Sequence, residues 1–396
     1  MSSVLRAPEA QFDSPAATRP VAGQPSICFV GFSNLAVLAP EVDRSGASGE
    51  PLQHTLLATA LARRGYRVSM VVIDHGQPDG AVWDGVQTFK AYARDAGLPV
   101  LRFVHPRWTG LVSALSRAAA DVYYTSCAGG LVGQIGMYCA SRGKRFVFRA
   151  ASDADCKPDA LISMGRWHQR DKWLYERGLR RASSVLVQGA HQQELMRRNF
   201  HIDSSIAGMV VEPGRSDRGF HERDIDVLWV SNMRSVKRPD VLLSVAEKLP
   251  HVSFHMVGGT VTGAERFFEK VQAQAAGRSN VTFHGAVPYR QVSAFYDRAR
   301  ILVNTSDIEG FPNTYLQAWA SGTPVVAFFD PDGVIAREGL GATVRNAEEM
   351  SDAVRRLTST ESEWQAARQR CLAFIQRHYS EDAVLQPYLQ AFRRDK

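Results

Sequence analysis

The sequence predicts an α/β protein of two doubly wound, Rossmann-like domains facing each other across a cleft. Short β-rich apolar runs alternate with stretches of helical periodicity nearly throughout, as βαβ units and a parallel sheet require. The alternation breaks once, over residues 212–224, where Pro213, Gly214, Ser216, Gly219 and many charges give linker composition. The length, 396 residues, also exceeds what one hydrophobic core usually covers.

The elements follow in order. Residues 1–24 are rich in Ala, Pro and Ser with no apolar core segment. They read as a disordered tail rather than a secretory signal. Residues 27–30 form a buried-strand run ending at Gly31, and residues 51–64 carry apolar side chains at helical spacing and close with Gly65. Further strand runs lie at 68–73, 122–124, 146–148 and 185–187. After the linker the pattern restarts at 227–230 and continues through 254–257, 281–283, 301–303 and 325–327, ending in helical segments over 361–394. The expected division is an N-terminal domain over 25–215 and a C-terminal domain over 216–379. A last helix, within 380–396, is expected to pack back on the N-terminal domain. Sheets of this kind bind ligands beyond the carboxyl ends of their strands, so the cleft is the expected site.

Composition narrows the function classes. A net charge of +7 and a pI near 9.2 suit anionic partners such as a nucleotide, an acidic glycan or an inner-leaflet surface. Zinc-finger spacing, an aromatic RNA-binding signature and a continuous basic helix are all lacking, so nucleic acid is not expected as a partner. Five cysteines without C-x-x-C pairing argue against a disulfide framework or a zinc site and point to a cytoplasmic location.

The most informative segment is 306–326, which follows a strand and opens a helix. Pro312 is expected in the first helical turn, where a missing N–H does no harm, and Gly322 just past the last turn. The amides near Asn313 and Thr314 would then face the cleft, where they and the helix dipole favour a diphosphate. Glu309, just before the helix, suits sugar hydroxyls, and Gln317 can bond a ribose hydroxyl without the strength that charge adds. A second segment, 229–240, is a strand, a loop and a helix start. Its Lys237 is a point charge suited to a leaving phosphate. Gly258 and Gly259 end a strand and allow close backbone approach. Asp153-Ala154-Asp155, after another strand, reads either as a carboxylate pair for a divalent ion or as a polar edge of the cleft.

The 306–326 segment resembles the donor-site signature of the retaining glycosyltransferases of family 4 (glycosyl transferases group 1). There an acid, seven residues and a second acid precede a small-residue stretch and a Gly-x-Pro-Val-Val strand. The resemblance covers about residues 26–394 and is sharpest in the C-terminal half. It implies the GT-B fold, with transfer of a hexosyl or related sugar from a nucleoside diphosphate sugar, UDP- or GDP-linked, to a hydroxyl of a glycan or lipid-linked acceptor. It further implies retention, no metal or other cofactor, and a role in polysaccharide biosynthesis. Glu309 would contact the transferred sugar, the backbone of Phe311, Pro312, Asn313 and Thr314 the sugar and phosphates, and Lys237 the diphosphate. Gln317 stands where the family has its second acid. Asn232 stands where it has an Arg, with Arg234 supplying charge nearby. The stretch containing His284 and Val287 resembles the base-contacting loop, and Gly49 matches the Gly-rich loop of 46–50. Asp153 occupies the strand end where the family often carries a His. The two-domain layout argues against the metal reading of Asp153 and Asp155, which belongs to the GT-A architecture.

Residues 166–181 mix basic and aromatic side chains on an expected helix. One reading is contact with a lipid-linked acceptor or the inner face of a membrane. The other is packing of Trp173, Leu174 and Leu179 on the first sheet. The competing functions are a nucleotide-sugar epimerase or glycan phosphorylase of the same fold, and a non-catalytic sugar-nucleotide or glycan-binding scaffold. A nicotinamide dehydrogenase is disfavoured because no G-x-G-x-x-G follows the first strand.

Overall fold

The computed structural model describes residues 23–43, 49–98, 101–157, 169–214 and 216–393. The tail over 1–22, residues 46–48 of the Gly-rich loop, and 166–168 of the basic–aromatic stretch lie outside the described residues.

The first sheet contains β1 (Ile27–Val30), β2 (Val68–Asp74), β3 (Val82–Trp83), β4 (Val86–Ala93), β5 (Val122–Ser126), β6 (Arg145–Arg149), β7 (Ser184–Val187) and β8 (Ser205–Ile206). Their order is β3-β4-β2-β1-β5-β6-β7-β8, parallel except for the β3–β4 hairpin. That hairpin was not expected from the sequence. Polar Gln87 and Lys90 interrupt the apolar residues of β4, a half-exposed strand near the sheet edge. The second sheet contains β9 (Ile225–Val230), β10 (Phe254–Val257), β11 (Val281–Gly285), β12 (Ala299–Asn304), β13 (Val325–Ala327) and β14 (Gly341–Thr343). It is wholly parallel, in the order β11-β10-β9-β12-β13-β14. Numbered within the domain this is 3-2-1-4-5-6, the doubly wound dinucleotide-binding order, whose direction of winding reverses between its first and fourth strands.

Apolar layers cover both faces of each sheet, which is why these strands read as unbroken hydrophobic runs. The helix Glu361–His378 packs on the second domain through Trp364, Cys371 and Phe374. The following helix, Glu381–Phe392, crosses over: Val384, Leu385, Tyr388 and Phe392 are buried in the core of the first domain. The Tyr388 hydroxyl donates to Gly208 O (2.8 Å) and Arg145 to Ala391 O (3.2 Å). In the helix Gln169–Leu179, Leu174, Tyr175 and Leu179 are buried on the first sheet. Trp173 departs from the packing expectation. It is 54% exposed, with the Arg177 guanidinium 5.1 Å from its ring centre. Among the described residues no helix is long and apolar enough to cross a membrane.

Candidate active site

The reversal of winding places the loops after β9 and β12 side by side. Lys237 ends the short turn Ser235–Lys237 after β9, and Glu309 follows β12. Their side chains meet, Lys237 Nζ donating to Glu309 Oε1 at 2.6 Å, and Asn304 Nδ2 donates to the same oxygen at 3.2 Å. The loops are tied beneath this pair. The Thr305 hydroxyl donates to Lys237 O (2.7 Å) and accepts from the Trp229 indole (3.0 Å), while Asp307 N donates to Val236 O (3.0 Å). Arg234, three residues before Lys237, is exposed at the rim of the same loop.

The helix after Glu309 is Asn313–Ala320. Pro312 lies just ahead of it, extended at φ −70° and ψ 126°, rather than in its first turn. The correction is one residue and leaves the chemistry intact. Asn313 and Thr314 still have no carbonyl four residues back to receive their amides, and the helix dipole adds to their pull on an anion. Tyr315, Leu316 and Trp319 are buried and fix the helix. Gly322, at φ +65°, ends it as expected, its N–H returning to Trp319 O (3.0 Å).

The β9, β10 and β11 loop ends converge beside Lys237. A Cβ on Gly258 would lie 1.8 Å from Ser231 O, so only glycine allows this approach. Met233 N donates to Gly259 O and Gly258 N to Gly285 O, which brings Asn232, Gly258 and Gly259 together and sets Val287 just beyond. His284, next to Gly285, hydrogen-bonds His255 ring to ring (2.9 Å) and lies edge-on to Phe295. Burial, and for His284 then the Arg298 charge, pushes both imidazoles below the usual histidine range.

The first domain closes on the helix start. Asn313 Oδ1 accepts from Gln53 (2.9 Å), and Asn313 Nδ2 donates to Gly49 O (3.0 Å). Gly49 therefore reaches the donor helix through its carbonyl. Phe311 N donates to Gln188 Oε1 (3.1 Å), so that amide is already taken, and the Phe311 ring packs toward Trp319 and Tyr379. Beside Phe311 lies a void of about 310 Å³ lined by Asp153, Gln188, His191, Gln192, Gly310 and Asp332, among others. Lys237 and the Asn313 and Thr314 amides lie outside its lining, so it extends the cleft away from those groups. Asp153 accepts from Gln192 (3.1 Å) at this edge. Asp155 does not face it. Its oxygens accept from Ala128 N (2.9 Å), Ala151 N (2.7 Å) and Ser152 N (3.0 Å), so the pair cannot jointly grip an ion.

Asp332, from the second domain, receives Ala190 N (3.0 Å) and His191 N (3.2 Å) at the start of the helix Ala190–Phe200. This is a cap supplied across the cleft. Asp332→Ala is expected to cost roughly 1 kcal/mol of closure. It should enlarge the radius of gyration measured by small-angle scattering, and an unchanged value would remove Asp332 from the closing contacts.

The first domain also carries a half-buried carboxylate at the cleft. Glu50, in the first turn of the helix Gly49–Arg63, lies 3.5 Å from Ser126 Oγ, which is 2.8 Å from His54 Nε2. Burial and then the Asp155 charge push Glu50 up to about 7, and burial followed by Arg149 holds His54 down at about 3. Sequence reasoning singled out neither Glu50 nor Gln53, Gln188 and Asp332, because each acts through partners distant in the chain.

Residues 224–360, which include Lys237, Glu309 and the Asn313–Ala320 helix, match the family model described as Glycosyl transferases group 1. They form a glycosyl transferases group 1 domain. A D-inositol 3-phosphate glycosyltransferase of Xylanimonas cellulosilytica is 33% identical over 104 residues, 26% of this chain. The match spans 25% of that relative's length. Over the whole chain the resemblance is structural. Sucrose-phosphate synthase from Thermosynechococcus elongatus superposes with a TM-score of 0.72 at 18% identity, covering 93% of this chain and 98% of that one. Anabaena HepE in complex with UDP and glucose superposes at 0.68 with 13% identity, covering 93% and 99%. The group 1 domain is thus the second half of a GT-B fold.

Proposed function

We propose that this chain transfers a sugar from a nucleoside diphosphate sugar to an acceptor hydroxyl, with retention at the anomeric carbon and without a metal. The observation that carries this reading is the meeting of Lys237 with Glu309 beside the open amides of Asn313 and Thr314 at the switch point of the second sheet. A diphosphate on those amides would draw Lys237 toward its oxygens and leave Glu309 for the sugar hydroxyls. The bond from the anomeric carbon to the diphosphate breaks, and its electron pair leaves with the phosphate. The acceptor oxygen adds on the same face, and its proton passes to a leaving-group oxygen. Lys237 and the helix dipole stabilise the charge that develops there, and closure through Asn313, Gln188 and Asp332 excludes water. The acceptor, a glycan or lipid-linked oligosaccharide, would enter past Asp153. Work on a lipid-linked acceptor would place the chain in the cytoplasm against the inner membrane face.

A thermal-shift screen with UDP, GDP, ADP and their sugars, followed by product analysis with glycan acceptors, tests the reading. One nucleotide should raise Tm, and turnover should survive EDTA. Loss of turnover on chelation would refute metal independence. Binding without turnover across the acceptor panel would favour a scaffold, and conversion of the donor without acceptor an epimerase.

A further inference from the structure

We propose that Glu212, on the segment joining the two domains, supplies the carboxylate that receives the ribose hydroxyls of the donor nucleotide, in the role the sequence offered to Gln317. The inference rests on the donor-site reading above. Gln317, which the sequence offers to the ribose, lies about one helical turn, roughly 6 Å, along the helix from the Asn313 and Thr314 amides.

Gln317 is occupied there. Its Oε1 accepts from the Tyr296 hydroxyl at 3.0 Å. The Tyr289 hydroxyl donates to Glu212 Oε2 at 2.9 Å. Two hydrogen bonds thus lie on this side of the helix, Tyr296 to Gln317 and Tyr289 to Glu212. Tyr296 is 1% exposed, and Glu212 is an exposed carboxylate. Glu212 keeps an oxygen for a ligand, and a charged acceptor binds hydroxyls more strongly than an amide does.

The path of the linker puts Glu212 at the right height. Val210 exchanges two hydrogen bonds of 2.9 Å with the Gln53 side chain, which in turn bonds Asn313 at the helix start. Gly214 lies against the helix end, where a Cβ would meet Ala320 O at 1.9 Å. Between these points the linker runs beside the helix with Glu212 midway. Tyr289 follows Val287 by two residues, so the base-side loop and the carboxylate are joined by the same tyrosine. Because Glu212 sits on the linker, ribose recognition is coupled to how the domains are set.

Calorimetry on wild type and Glu212→Gln, with UDP, GDP and ADP and the 2′,3′-dideoxy form of each, tests this. Glu212→Gln should weaken the preferred diphosphate roughly tenfold. It should leave the dideoxy form within twofold of wild type, and Tm unchanged because the residue is exposed. Equal affinity of the two proteins for the natural diphosphate would overturn the proposal, as would equal losses for natural and dideoxy forms. If wild type binds a diphosphate in a Lys237-dependent way without help from Glu212, only this proposal falls. If wild type binds none of the three, the donor-site reading falls with it.

Discussion

Lys237→Ala is expected to lower kcat/KM for sugar transfer by about 10²–10³, the usual loss when one preorganised donor to a developing charge is removed. The ammonium lies 2.6 Å from Glu309 and the side chain is 20% exposed, enough to turn toward a phosphate. The backbone around it is held independently, through the Thr305 hydroxyl on Lys237 O and Asp307 N on Val236 O. Truncation therefore removes the charge without moving the loop, and Tm should fall little. Lys237→Arg should recover only part of the activity, because a planar fork cannot take the position of a compact ammonium against both Glu309 and a phosphate. Steady-state kinetics on the donor found by the nucleotide screen gives the result. A loss below threefold would mean that the leaving group departs without Lys237.

The second large effect is a stability change that depends on pH. Glu50 has its folded pKa raised to about 7 from the usual glutamate value of 4.5, first by burial and then by the Asp155 charge. The groups facing it are Ser126, Cys127, His54 and Asp155, and the Arg149 cation lies across the same cluster. The folded state thus holds the proton more tightly than the unfolded chain. Its contribution is fully present below about pH 4.5 and is lost as pH rises through 7. The full shift corresponds to about 3 kcal/mol. The side chain is 30% exposed, so about 1–3 kcal/mol is expected after solvent screening. Glu50→Gln removes the ionisation and should raise Tm by about 3–8 °C at pH 8 while changing little at pH 4. An equal shift at both pH values would mean that Glu50 is ionised in the folded protein like any surface glutamate.

Much of the fold could be read from the chain because the sheets are buried on both faces. Runs such as Ile27–Val30 and Val325–Ala327 carry side chains that are apolar regardless of which face they meet. The signal failed where that condition fails. Val86–Ala93 is partly exposed and carries Gln87 and Lys90, and Gly341–Thr343 is too short to show a pattern. Lys237 and Glu309 were legible because each follows a strand within a local motif. Gln317 was legible as a position, but its hydrogen bond from the Tyr296 hydroxyl shows only in the folded chain. The pairing of His284 with His255 was hidden too, its partner being a neighbour across strands. The closing contacts were out of reach, for Gln53 meets Asn313 across 260 positions and Ala190 meets Asp332 across 142.

The most direct test of the central claim is a crystal structure with UDP or GDP bound. The terminal phosphate is expected within hydrogen-bond distance of the Asn313 and Thr314 amides, about 3 Å, with Lys237 Nζ turned from Glu309 onto a phosphate oxygen. A diphosphate seated elsewhere, with Lys237 still paired to Glu309 and the helix start empty, would contradict it.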